Sequence, residues 1–171
     1  RLTEDQATKR IADINPKFIC FVVYGQNPNS GTVNMSGTVK LAKAIKEANI
    51  ETPIGLIGSH VQALPIEVLE TEKDIDIIFT NEGVYSLWNL LSKDITNVDE
   101  LKKIKGIGFR VNNAPHLTLP EKIVPQDKMD EHLPGYAWDL LPYKEKPLDL
   151  YRAHFWHAEY DHDKRTPFAT L

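Results

Sequence analysis

The chain has 171 residues, 42% of them hydrophobic and 26% charged, with a formal net charge of −4. That composition excludes collagen, coiled coil and disorder, and the length allows a buried core without disulfides or a structural metal. The 20 Lys and Arg face 24 Asp and Glu with no basic block, which argues against nucleic acid as a partner.

The longest apolar run, Phe18 to Tyr24, is far too short to span a bilayer, so no membrane span is expected. Residues 1–6 carry no apolar signal segment, and the single cysteine, Cys20, can form neither an internal disulfide nor a cysteine-bound metal site alone. A reducing cytoplasm is the expected setting.

In chain order, Ala7, Ile11 and Ile14 recur at helical spacing, and Thr3 with Gln6 has the spacing of a capping box, so a helix is expected over 4–13. Residues 18–24 are seven consecutive apolar or aromatic side chains, the pattern of a parallel strand buried on both faces. Residues 25–35 are rich in Gly, Asn, Pro and Ser and read as a polar loop, followed by a helix near 37–48 with Leu41, Ala42, Ile45 and Ala48 as its apolar stripe. A second strand is expected at 53–57, then a helix started by Pro65. A third strand at 75–79 leads to a helix carrying Val84, Leu87, Trp88 and Leu91. Alternating segments at 104–111 and 116–119 flank Asn112-Asn113, a hairpin pattern.

Strands alternating with helices predict an α/β fold built on an open parallel sheet, flavodoxin- or Rossmann-like, with a C-terminal hairpin. The three strands should be parallel, with 53–57 between 18–24 and 75–79. Residues 1–119 form the expected α/β domain. Residues 120–171, with six prolines and Tyr136, Trp138, Tyr143, Tyr151, Trp156 and Tyr160, read as an irregular aromatic arm. Trp138, Tyr143, Tyr151 and Trp156 are expected to be partly exposed in this chain.

Ligands of open parallel sheets bind beyond the carboxyl ends of the strands. Three loops leave strand ends here: Tyr24 to Met35, Gly58 to Leu64, and Thr80 to Gly83. Their Gly, Asn, Gln, Ser and Thr residues suit close backbone approach and neutral hydrogen bonding, hence a large, amide-rich ligand over a polyphosphate. The same residues also serve as plain turn formers. A P-loop match around Gly25 and Gly31-Thr32 fails on spacing and lacks the lysine, and Gly106-Ile-Gly108 lacks the third glycine of a dinucleotide fingerprint.

His154, His157 and His162 have donors suited to zinc or iron, but their polar, aromatic setting is a common one for histidine, and no metal ligand is assigned. Cys20, inside an apolar strand, reads as an inert core thiol, and Glu82 as a lone acid at a strand end. No self-contained catalytic set emerges.

Three segments then form an ordered series: Val-Tyr-Gly-Gln-Asn-Pro-Asn-Ser-Gly-Thr at 23–32, Gly58-Ser59-His60-x-x-Ala63-Leu64-Pro65, and Asp-Ile-Ile-Phe-Thr-Asn-Glu-Gly at 76–83. With a hairpin and the linker Ala137-Trp138-Asp139-Leu140-Leu141-Pro142 after them, the series resembles the cobalamin-binding N-terminal domain of cobalamin-dependent radical S-adenosylmethionine enzymes. The resemblance covers roughly residues 3–171 and implies a strand, helix and strand before residue 4. It lacks the Asp-x-His-x-x-Gly of classical cobalamin domains, which the radical enzymes generally lack too. Arg165–Leu171 resembles the strand before the radical domain's cysteine triplet, so the gene is expected to extend both ways. S-adenosylmethionine and an iron–sulfur cluster would belong to that absent domain, the implied partner of this one.

The resemblance implies these cofactor contacts. Tyr24, Gly25, Gln26, Asn27, Asn29, Ser30, Gly31 and Thr32 would line the corrin and its nucleotide tail. Gly58 and Ser59 would let the backbone pass against the tail, with His60, Ala63 and Leu64 beside them and His60 not bound to cobalt. Asn81, Glu82 and Gly83 would close the third side. The implied activity of the parent enzyme is methyl transfer. Two other readings are a non-catalytic α/β module that binds a protein through the aromatic arm, and a Rossmann-like enzyme for a nucleotide or sugar nucleotide.

Overall fold

A computed structural model describes residues 2–24, 28–133, 135, 137 and 140. The histidine cluster at 154–162, and Trp138, Tyr143, Tyr151 and Trp156 of the arm, lie outside the described residues. Two compact units divide the chain, Arg1–Pro125 and Gln126–Leu171.

The first unit opens with α1 (Glu4–Ile14), fixed by the expected capping box: the Gln6 N–H donates to Thr3 Oγ1, and the Thr3 N–H to Gln6 Oε1. Asn15, in the left-handed conformation, ends it. Ile11 packs against the core, but Ile14 is exposed. Strand β1 (Ile19–Val23) follows, then α2 (Pro28–Glu47), β2 (Ile54–Gly58), the short α3 (Ser59–Ala63) and α4 (Pro65–Thr71). After β3 (Ile77–Phe79) come α5 (Val84–Leu91), α6 (Val98–Leu101) and the hairpin β4 (Ile107–Val111) and β5 (Ala114–Leu117).

The strands lie side by side in chain order, β1-β2-β3-β4-β5. β1 to β3 are parallel as expected, with Val23 opposite Gly58 and Leu56 opposite Ile78. β4 joins β3 antiparallel, with Phe79 opposite Ile107, so the hairpin belongs to the same sheet and makes it an open, mixed, Rossmann-like α/β sheet. The hairpin turn is Asn112-Asn113, with φ of 51° and 64°. Positive φ at both central residues matches the right-handed twist of the strands it joins.

The pleat sends alternate residues to opposite faces. Ile54, Leu56 and Ile78 pack with Ala42 and Ile45 of α2, Val61 of α3 and Leu69 of α4. Ile57, Ile77 and Phe79 pack on the other face with Leu90 of α5 and Leu101 of α6. Arg110 of β4 ties the hairpin to the α4–β3 connection, donating to the carbonyls of Leu69, Lys73 and Ile75 at 3.0, 3.0 and 2.5 Å.

Two expectations are corrected, and one helix shows an unexpected burial pattern. Residues 28–35 are helical, because Pro28 starts α2 well before residue 37. Proline is preorganised for a first helical turn, and that outweighs the poor helix propensity of the Asn, Ser and Gly that follow. β1 is not buried on both faces: paired with β2 alone, it leaves Val22 66% exposed. In α5, Trp88 is 77% exposed and Leu91 57%, while Ser86 and Leu90 are buried. The inner face of α5 sits so close to Gly106 that a Cβ there would strike Ser86 Oγ, so a small residue occupies that contact while Leu90 packs into the core.

The second unit begins with a 3₁₀ turn, Gln126–Lys128, and α7 (Met129–His132), where Lys128 Nζ meets Glu131 Oε2 at 2.8 Å. Among the described residues no helix is long and apolar enough to cross a membrane.

Candidate functional site

Parallel pairing brings the carboxyl ends of β1, β2 and β3 to one edge of the sheet. Tyr24, Ser59 and Thr80 leave the strands there. Because β4 runs the other way, Gly106 at its start and Leu119 beyond β5 border the same edge. The Thr80 N–H donates to the Gly106 carbonyl at 3.0 Å, and the Gly106 N–H to the Leu119 carbonyl at 2.8 Å.

The three expected loops meet through one residue that sequence patterning does not single out. Gln62 of α3 donates from Nε2 to Tyr24 Oη at 3.0 Å and to the Asn81 carbonyl at 2.8 Å. It therefore links the loop after β1 to the loop after β3, across the end of β2. Gln62 occupies an unspecified position of the segment Gly58-Ser59-His60-x-x-Ala63. The available signal was a polar side chain following a strand end by one helical turn. Asn34 of α2 adds a bond from Nδ2 to the Tyr24 carbonyl at 3.3 Å.

Several expected contact residues hold the protein itself together. Asn81 Oδ1 accepts the Gly83 N–H at 2.9 Å, and its Nδ2 donates to the Glu121 carbonyl at 3.0 Å. The first bond fixes the turn that gives buried Gly83 its φ of +81° at the start of α5, a value that favours glycine. Glu82 Oε1 accepts the Val124 N–H at 2.6 Å. These bonds carry the first unit past the hairpin to Pro125. Asn81 and Glu82 thus fasten residues 121–124 to the sheet edge.

Gly58 meets a structural demand besides the one implied by the resemblance. A Cβ there would run into the carbonyl group of Val23 on β1. The glycine is demanded by the neighbouring strand, whatever lies beyond the edge. Ser59 and His60 are half-buried on α3, and Ala63 and Leu64 are exposed at its end. Ser59 Oγ is buried with no hydrogen-bond partner. Asn29, Ser30, Gly31 and Thr32 belong to the first turns of α2 and not to a loop, while Gly25, Gln26 and Asn27 lie outside the described residues.

The groups near this edge are hydroxyls, amides and backbone, with the carboxylates of Glu82 and Glu121. The Lys122 ammonium lies 5.3 Å from the centre of the Tyr85 ring. Among the described residues no group of three or more His, Cys, Asp or Glu is placed to hold a metal ion. A cavity of about 250 Å³ lies at the opposite end of the strands, lined by Pro53, Asp76, Ile77, Phe109 and Arg110 among others. Its charged groups serve the fold: Asp76 Oδ2 accepts from Lys46 Nζ at 2.9 Å and from the Ile54 N–H at 2.8 Å.

Cys20 is a half-buried thiol packed against the core on the α5–α6 face of the sheet. Burial pushes its pKa up to about 11 from 9.0, so it stays protonated at neutral pH. Near pH 8 the thiolate fraction is about 100-fold lower than in the unfolded chain, partly offset by the greater nucleophilicity of a more basic thiolate. Iodoacetamide at pH 8 should therefore alkylate the folded protein about tenfold more slowly than the protein in urea. Equal rates would show an accessible, ordinary thiol. The unfolded chain loses this proton first, so the shift lowers stability only as pH rises from 9.0 toward about 11.

No protein-family model matches the chain, and no curated protein matches it at a significant level.

Proposed function

We propose that this chain is the cobalamin-binding α/β domain of a cobalamin-dependent radical S-adenosylmethionine enzyme of methyltransferase type. The observation that carries the reading is the meeting of three resemblance-bearing segments at the carboxyl ends of three parallel strands, spanned by Gln62. Ligands of open α/β sheets bind beyond the carboxyl ends of the parallel strands.

The residues present fit the cofactor. A corrin carries a rim of neutral carboxamides and needs hydroxyl, amide and backbone partners more than a basic cluster. Tyr24, Ser59 and Gln62 supply those groups, and Ser59 Oγ is a buried atom that lacks a hydrogen-bond partner among the described residues. These three, at the ends of β1 and β2, would hold it. Bound there, cobalamin would supply methyl-transfer chemistry. The protein would contribute binding and orientation at the sheet edge.

The test is to mix the protein with hydroxocobalamin, desalt it and read the visible spectrum. Retained corrin absorbance near one equivalent is expected. A colourless protein, with melting raised instead by a nucleotide or sugar nucleotide, would overturn the reading in favour of a Rossmann-like enzyme.

A further inference from the structure

The geometry points to Gln62 and Tyr24 as a carboxamide-reading pair that selects an amide-rimmed ligand over its carboxylate counterpart, an inference that rests on the cobalamin reading. The Asn81 carbonyl can only accept a hydrogen bond, so the Gln62 nitrogen must be the atom facing it at 2.8 Å. That fixes the orientation of the side-chain amide. The other N–H of the same nitrogen reaches Tyr24 Oη at 3.0 Å. Both donors of Gln62 are thereby used within the protein, and the group it has to offer a ligand is its carbonyl oxygen, an acceptor.

The polarity of Tyr24 follows from the same bond. Its hydroxyl accepts from Gln62, so its own hydrogen is directed to some other acceptor. Tyr24 is 47% exposed and follows β1 directly at the carboxyl edge. The pair thus presents one donor, Tyr24 O–H, and one acceptor, Gln62 Oε1. A primary carboxamide has the complementary set, a C=O and an N–H. A carboxylate brings acceptors only; it suits Tyr24 but sets oxygen against the oxygen of Gln62. Gln62 is therefore the discriminating member, and Tyr24 holds either kind of group.

Corrins allow a direct test, because cobinamide carries a carboxamide rim and cobyrinic acid presents carboxylates on the same macrocycle. Affinities of both for the 171-residue chain, and for Gln62→Ala and Tyr24→Phe, are measured by absorbance titration. Both residues are exposed, and thermal melts check that the variants are folded. The parent should prefer cobinamide. Gln62→Ala should reduce that preference by roughly tenfold, and Tyr24→Phe should weaken both ligands alike by about 2- to 10-fold. Gln62→Met, which keeps the side chain's length, gives the same answer if alanine loosens α3. A preference unchanged in Gln62→Ala and Gln62→Met would overturn the pair, pointing to repulsion from Glu82 and Glu121, and would leave the cobalamin reading standing. A parent that binds neither corrin, nor hydroxocobalamin, would overturn both.

Discussion

Replacing Gly58 by alanine is expected to destabilise the first unit by about 3 kcal/mol or more, a large part of the stability of an ordinary domain. The added Cβ would enter the carbonyl group of Val23, which is backbone and not the movable end of a side chain. Val23 and Gly58 are register partners in the β1–β2 ladder, so relief requires the two strands to part at their carboxyl ends. Every residue of β2 is buried, which leaves the displaced strand nowhere to go without opening the core. Urea unfolding followed by far-ultraviolet circular dichroism measures the loss. A midpoint equal to the parent's would show that β1 and β2 separate easily there. Leucine at this position should damage the fold at least as much, so lost cobalamin binding in a Gly58 variant would say nothing about a groove. Tyr24 and Gln62, at the surface, are the positions where ligand effects and folding effects separate.

Arg110→Ala should cost about 2–4 kcal/mol. The guanidinium is the common donor for the carbonyls of Leu69, Lys73 and Ile75, which belong to the end of α4 and the approach to β3. Its removal leaves partly buried carbonyls without that charged donor and unfastens the α4–β3 connection from the hairpin. Arg110→Lys should recover only part of the loss, because one ammonium cannot reproduce a planar fork spread over three acceptors. The check is again the urea midpoint, together with faster amide exchange at residues 72–76. A variant within 0.5 kcal/mol of the parent, on the scale of ordinary surface substitutions, would refute the staple.

The core of this fold was legible because the strands are short, apolar and bounded by turn residues. Phe18 to Tyr24 announced β1, and Asn112-Asn113 announced the hairpin. The start of α2 was obscured by Asn29, Ser30, Gly31 and Asn34, whose local preferences favour a loop; Pro28 was the contrary signal. In α5 hydrophobicity does not mark inwardness: Trp88 and Leu91 face out, and the contact with the Gly106 segment takes Ser86. The site edge could be located from strand ends alone. Gln62 could not, since its importance lies in reaching Tyr24 and Asn81, partners 38 and 19 residues away that only the folded sheet brings near. Gly58 was read as making room for a ligand, and the fold adds the next strand as a reason of its own: sequence cannot tell the two demands apart.

The strand order has a consequence for how the chain acquires its shape. Each strand pairs with the one before it in the sequence, so no later strand must be inserted between two that have already joined. A ribosome delivers chain at about 5–20 residues per second, slow beside the formation of local structure. β1 and β2 can therefore pair across α2 before β3 has been made, and every later strand adds to a single growing border. Among the described residues the last addition to this sheet is a two-residue-turn hairpin, a fast local event on the order of microseconds. The amide-bearing edge is then finished late, when residues 121–124 reach Asn81 and Glu82. Until those residues leave the ribosome, the emerging sheet has its three parallel strand ends but not the segment that fastens beside them.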